Sequence, residues 1–170
     1  MNICRDLLAA MALCSMALAA QAGDAAAAQA DDPAAAQARR LHELWLNPGF
    51  YAHHFQKNRN LNDNAAGFGA EYRFSPASSV TGGIYHNSNW HTSHYLGYYW
   101  RPLELGPMRL GAAFGALDGY PGARHRGWFP AALPTARLEY GRVALNLFYI
   151  PSYKDSVNGS ITFQLNLRVY

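Results

Sequence analysis

The chain has 170 residues, enough for one domain with an ordinary core and too few for several. Its formal charge of +3 is mild, and Arg39-Arg40 is the longest run of adjacent basic residues, which excludes the dense basic patch of a nucleic-acid binder. Charged residues reach only 15%, against roughly 25% in an average soluble domain, while aromatics reach 14%. Something other than water is expected to cover much of this surface.

Residues 1–22 read as an address. Arg5 supplies a weak positive region, Leu7 to Ala20 form an apolar run too short to span a bilayer, and Ala20-Gln21-Ala22 is an A-x-A cleavage site. Both cysteines, Cys4 and Cys14, fall inside this segment, so the exported chain would carry no thiol and no disulfide. Leu13 before Cys14 is too large for lipoprotein processing. Residues 23–47 form an alanine-rich segment in which Asp32-Pro33 is a helix start and Asn47-Pro48 a stop. Leu41, Leu44 and Trp45 share a face at helical spacing, beside Arg39 and Arg40. The spacing predicts a short amphipathic helix on a membrane surface, with a partly ordered linker as the alternative.

From Pro48 onward no stretch of about 18 apolar residues occurs, which excludes a transmembrane helix. Alternation predicts about eight strands of around ten residues instead, near 48–57, 65–75, 78–87, 91–101, 107–117, 126–139, 142–151 and 160–170. The last is clearest: Ile161, Phe163, Leu165, Leu167 and Val169 alternate with Thr162, Gln164, Asn166 and Arg168. A soluble barrel would show Lys and Glu on its polar face, whereas Thr, Gln, Asn, Gly and Ser dominate here and suit a hydrogen-bonded interior. An open sheet edge in hydrocarbon would strand backbone groups, so the sheet must close. The expected fold is all-β, an eight-stranded antiparallel transmembrane barrel over residues 48–170. Short connections at Ser75-Pro76-Ala77, Arg101 to Gly106 and Tyr140-Gly141 would lie at one rim. Longer ones at Lys57 to Asn64, Asn87 to Asn89, Leu117 to Arg126 and Ser152 to Gly159 would lie at the other.

That long-loop rim gathers the chemistry. His54 falls at the end of the first strand, on the same face as Ala52, and Asn87-Ser88 at the end of the third. A histidine close to a serine hydroxyl can serve as its base or activate an acceptor hydroxyl in acyl transfer. The same three side chains could equally do no more than hydrogen-bond strand ends at a wet rim. His91 and His94, three apart on a strand, point to opposite faces and make no metal pair; neither a metal nor another cofactor is expected. Arg124 and Arg126 in the loop before the sixth strand could meet lipid phosphates or remain solvated.

The stretch "LPTARLEYGRVALNLFYIPSYKDSVNGSITFQLNLRVY" resembles the carboxyl-terminal strands of the lipid A palmitoyltransferases, with Leu133-Pro134, Tyr140-Gly141, Tyr149-Ile150-Pro151 and the final Tyr170 in the family's places. "AAGFGAEY" from Ala65, "HNS" from His86 and "WRP" from Trp100 follow the family's order. The resemblance implies a monomeric outer-membrane barrel, without a cofactor, that moves an acyl chain from a phospholipid to lipid A. It assigns Ser88 and its neighbour Asn87 to the catalytic serine and its acidic partner. It also implies that Tyr99 stands where the family has a glycine at the floor of its acyl pocket. Three departures stand out. Asn87 cannot carry charge. His54 substitutes for the family's histidine by position only, a few residues later in the chain. A phenol ring at Tyr99 would shorten or fill the hydrocarbon slot. His86-Asn87-Ser88-Asn89 also has the His-x-Ser-Asn shape of outer-membrane lipid A deacylases, although theirs lies near the chain's end. A non-catalytic envelope barrel is the other alternative.

Overall fold

The computed structural model describes residues 41–56, 60–122, 124–152 and 158–170. The signal segment and the alanine-rich stretch up to Arg40 lie outside the described residues. Eight antiparallel strands run β1 Glu43–His54, β2 Asn64–Arg73, β3 Ser78–His86, β4 Thr92–Leu105, β5 Met108–Leu117, β6 Phe129–Tyr140, β7 Val143–Ile150 and β8 Ser160–Arg168. Each pairs with its sequence neighbour, and β1 closes on β8, from Trp45 opposite Arg168 to His54 opposite Ser160. Every backbone edge is thereby consumed, which is what permits a sheet to face hydrocarbon.

Alternation sorts the two faces. Phe68, Leu96, Phe114, Leu138, Leu165 and Leu167 are exposed on the outer wall. Asn146, Gln164 and Asn166 on the neighbouring positions are wholly buried inside. The interior is less neutral than the alternation suggests. Glu71, Arg73, Arg101 and Arg137 all point inward and are buried, because a closed eight-stranded lumen can pair its charges away from lipid.

The helix expected between Asp32-Pro33 and Asn47-Pro48 gives way to strand in its described part, from Glu43 onward. Leu44 and Trp45 belong to β1, paired with Tyr72 and Glu71 of β2. The reason is inward packing: Trp45 is fully buried, with the guanidinium of Arg137 4.3 Å from its ring centroid and those of Arg73 and Arg168 at 5.5 Å. Asn47-Pro48 likewise does not stop a helix. The register of β1 to both neighbours shifts across Pro48-Gly49. Gly49 sits at φ 98°, and a Cβ there would stand 2.4 Å from the Ala65 carbonyl oxygen. Trp45 and Asn47 are buried before this irregularity; Ala52 and His54 are buried after it. The inward face thus switches from odd to even positions, and His54 rather than His53 turns inward.

The hairpin turns at one rim are short, after Arg73, Leu105 and Tyr140, and the connections at the other are longer, as the sequence suggests. The turn expected from Arg101 to Gly106 is tighter than expected, since β4 continues to Leu105 and leaves Gly106, at φ 60°, to reverse the chain.

Candidate catalytic site at the long-loop rim

Three layers of side chains fill the barrel from the short-turn rim upward. The lowest is ionic. Glu71 accepts from Ser79 Oγ at 2.6 Å, Arg137 Nη1 at 3.1 Å, Asn146 Nδ2 at 3.2 Å and Arg101 Nη1 at 3.3 Å. Around it Arg73 donates to Glu43 at 2.8 Å and forks onto Glu139 at 2.7 and 3.0 Å. Above lies an aromatic layer. Phe50 meets Tyr85, Tyr95 and Phe148 edge-on, with centroids 5.0, 5.3 and 6.1 Å apart. Tyr99, the residue at the expected pocket floor, belongs to this packing. It is buried against Phe148 at 5.7 Å, with the Arg101 guanidinium 4.2 Å from its centroid. The lumen here holds rings where a hydrocarbon slot would need space.

The third layer is the rim, and it brings His54 and Ser88 together. His54 Nε2 lies 2.9 Å from Ser88 Oγ, and His54 Nδ1 lies 2.6 Å from Asp63 Oδ1. The imidazole is buried while the side chain of Asp63 is 49% exposed, so the triad opens to the outside through its acid. An ionised carboxylate only accepts, which places the ring proton on Nδ1 and leaves Nε2 bare to accept from the Ser88 hydroxyl. Serine, base and orienting acid thus stand in hydrogen-bonded series, the arrangement that lets a hydroxyl attack an acyl carbon.

Asn87, expected as the acidic partner's stand-in, does not face His54. It is wholly buried, and its amide is committed to the loops. Oδ1 accepts from the backbone N–H of Asn89 at 2.8 Å and of His91 at 3.1 Å, while Nδ2 donates to Ser93 Oγ at 2.8 Å and to the Gly119 carbonyl at 3.0 Å. A charged aspartate would repel that carbonyl, which is why a neutral amide suits this position.

The sequence reading missed Asp63. It stands just before β2, and its carbonyl takes the Ala52 N–H at 2.8 Å, so hairpin register alone sets it across from the end of β1. Counting inward from the Lys57 to Asn64 connection would have found it. Asn62 was missed as well. Buried beside Asp63, it donates its backbone N–H to the Ser88 carbonyl at 3.0 Å and its Nδ2 to the His86 and Asn87 carbonyls at 3.4 and 3.3 Å. Trp90 Nε1 adds a bond to the Asn60 carbonyl at 3.0 Å, so the loops carrying Asp63 and Ser88 are strapped together.

The remaining candidates lie outside this cluster. Arg126 is exposed, with Nη2 3.5 Å from His91 Nε2, and the side chain of Arg124 is outside the described residues. His94 faces outward and pairs with Asp118, its ring nitrogen 3.1 Å and its backbone N–H 2.6 Å from that carboxylate. Burial pushes the Asp118 carboxyl up, but the His94 N–H, the His94 ring and its charge together hold it below the ordinary carboxylate range.

No protein-family model matches the chain, and no curated protein matches it. Among solved structures, the chain is similar to one from "De novo design of transmembrane beta-barrels", with a TM-score of 0.54 and 14% identity over 77% of this chain and 98% of that one. A second, "Solution NMR structure of de novo designed TMB2.3", gives 0.48 and 21% over 76% and 95%. The first likeness carries the fold alone: a closed eight-stranded barrel of the transmembrane type.

Proposed function

We propose that this barrel resides in an outer membrane and acts there on lipid acyl esters through Ser88, His54 and Asp63, transferring a fatty acyl chain from a phospholipid to lipid A. The observation that carries the reading is the pair of short contacts on His54, 2.9 Å to Ser88 Oγ and 2.6 Å to Asp63 Oδ1. A buried imidazole between a hydroxyl and a carboxylate is the order in which a base and its orienting acid activate a serine.

In the first half-reaction Ser88 Oγ attacks the phospholipid ester carbon while His54 Nε2 takes the hydroxyl proton. The tetrahedral adduct collapses, and the departing lysophospholipid oxygen recovers that proton from His54. An acceptor hydroxyl then attacks acyl-Ser88, its proton passing through His54 back to Ser88. Asp63 holds the imidazole in the productive tautomer and stabilises it when charged. Because rings occupy the middle of the lumen, the acyl chain lies outside the barrel wall. A cavity of about 420 Å³ lined by Asn62, Asn64, His86 and Trp90 opens there beside the Ser88 loop. The exposed rim cation Arg126, with Arg124 on the same loop, would meet the acceptor's phosphates.

Water is the competing acceptor. The open side of Asp63 favours it, and then the enzyme is a deacylase. Expression in a host with an outer membrane, followed by mass spectrometry of lipid A and phospholipids, separates the cases. A heavier lipid A with accumulating lysophospholipid supports transfer, and a lighter lipid A supports deacylation. Lipids unchanged by a correctly inserted barrel, and identical to those of Ser88→Ala and His54→Ala, would leave a non-catalytic envelope barrel.

A further inference from the structure

Acyl transfer needs more than a nucleophile and a base, because negative charge develops on the carbonyl oxygen and a donor must already be aimed at it. Asp63, His54 and Ser88 supply the acid, the base and the hydroxyl, and none of them is a donor left over for that oxygen. The next polar group in the series is the Tyr120 hydroxyl, in the connection between β5 and β6. It stands beside the Ser88 side chain and lies 3.0 Å from the Tyr85 hydroxyl, one residue on from Gly119, whose carbonyl takes the amide of Asn87 next to Ser88. When Tyr85 donates to it, the single Tyr120 proton is free to point toward Ser88. Burial pushes the Tyr120 phenol above its ordinary range, so it keeps that proton at neutral pH.

The ring and the backbone that bears it are both held in place. It packs edge-on against Phe129, with centroids 5.8 Å apart and planes at 85°. Gly119 before it sits at φ 82°, where a Cβ would stand 2.3 Å from the Thr92 carbonyl oxygen. The Gly119 carbonyl takes Asn87 Nδ2, and its N–H donates to the Arg126 carbonyl, each at 3.0 Å. Asn87 therefore grips, with one amide, the loop that bears the nucleophile and the loop that bears the phenol.

We infer that Tyr120 donates the hydrogen bond that stabilises the oxyanion formed at Ser88, and that Asn87 is the positioning residue that holds the two loops in register for it. The inference rests on the acyl-ester reading above. In the step it describes, Ser88 Oγ bonds to the acyl carbon, the carbonyl π pair moves onto oxygen, and Tyr120 O–H lends a hydrogen bond without giving up its proton.

The test uses the full chain refolded in detergent micelles, with an alkyl fluorophosphonate as the probe and intact mass as the readout. Hydrolysis of a p-nitrophenyl acyl ester gives kcat and KM in parallel. Wild type is expected to gain one phosphonyl group at Ser88, lost in Ser88→Ala. Tyr120→Phe keeps the ring and its Phe129 contact, and is expected to slow labelling and kcat by about 10²–10³ while leaving KM nearly unchanged. Asn87→Asp keeps the acceptors for Asn89 and His91 but loses the donor to Gly119. It is expected to slow kcat as well, and the double variant should be no slower than Tyr120→Phe alone. A wild type that never labels would sink the acyl-ester reading and this inference with it. Normal labelling of wild type, with Tyr120→Phe within about threefold of it, would overturn the oxyanion role alone. Strictly multiplicative effects in the double variant would overturn the positioning role of Asn87.

Discussion

Glu71→Ala tests the ionic layer that seals the short-turn half of the lumen. The substitution strands two guanidinium groups unequally. Arg137 keeps Glu139 at 3.0 Å and Asn146 Oδ1 at 3.1 Å. Arg101, 3% exposed, has among the described residues no other carboxylate partner, only the Tyr99 ring at 4.2 Å. Its Nε and Nη2 atoms have no protein partner even in the intact network. The cost of removing Glu71 is thus chiefly the cost of leaving Arg101 charged and unpaired in a buried site, about 3–5 kcal/mol. That is a loss of about two to three and a half orders of magnitude in the folding constant.

Urea-dependent folding into detergent micelles or thin bilayers, followed by tryptophan fluorescence, measures it. Trp45 reports the layer directly, because it is fully buried against Arg137. Glu71→Ala combined with Arg101→Met removes both ends of the pair and should recover most of the loss, since taking out a whole buried pair is often nearly neutral. A single variant within about 1 kcal/mol of wild type would refute the reasoning. So would a double variant no better than the single, because the penalty would then not be a stranded charge.

Asp63→Asn should leave folding intact and cut ester turnover by about 10³–10⁴, since an amide can hold the imidazole in the wrong tautomer, and steady-state kinetics on the refolded chain check this. Gly49→Ala forces a left-handed residue and a Cβ against the Ala65 carbonyl, 2.4 Å away, and is expected to cost about 1–3 kcal/mol in urea unfolding. Because Asp118 is held below its unfolded value, the bond it makes to His94 is complete above that value and is lost as the pH falls through the lowered one. The protection of the His94 amide, the intrinsic exchange rate at each pH divided by the observed one, should fall over that acidic window, and an unchanged protection would contradict it.

The strands were legible because each buries one face: eight alternating runs predict eight strands, and each observed strand overlaps one of them. What alternation cannot see is a change of phase. The irregularity at Pro48-Gly49 reverses the inward face of β1, so the Leu41, Leu44 and Trp45 spacing that fits a helix is also the start of a strand whose odd positions point in. His54 was legible as an inward residue because Ala52 and His54 lie beyond that reversal. Asp63 was legible only through hairpin register, by counting back from β2 to the residue across from Ala52, because no local motif marks it. Asn87 was noticed for where it stands, but its work is set by the Gly119 carbonyl of a loop some thirty residues away, a contact only folding creates.

The division of the lumen bears on how the rim could hold its geometry. Triad chemistry requires side chains fixed to within about 0.5 Å, and loops supply that poorly unless their backbones are tied. Here the loops that carry Asp63 and Ser88 are tied by two buried asparagines, Asn62 and Asn87, whose amides reach backbone groups on neighbouring loops. The aromatic layer beneath gives those loops a solid floor, with Tyr85 belonging both to that layer and to the Tyr120 contact. A slot for an acyl chain would have to be cut through this floor. On the proposed acyl-ester reading, the rim keeps its geometry by leaving the substrate's hydrocarbon outside the wall. Residues on the outer faces of β2 and β3, not those lining the lumen, would then set which acyl chains it accepts.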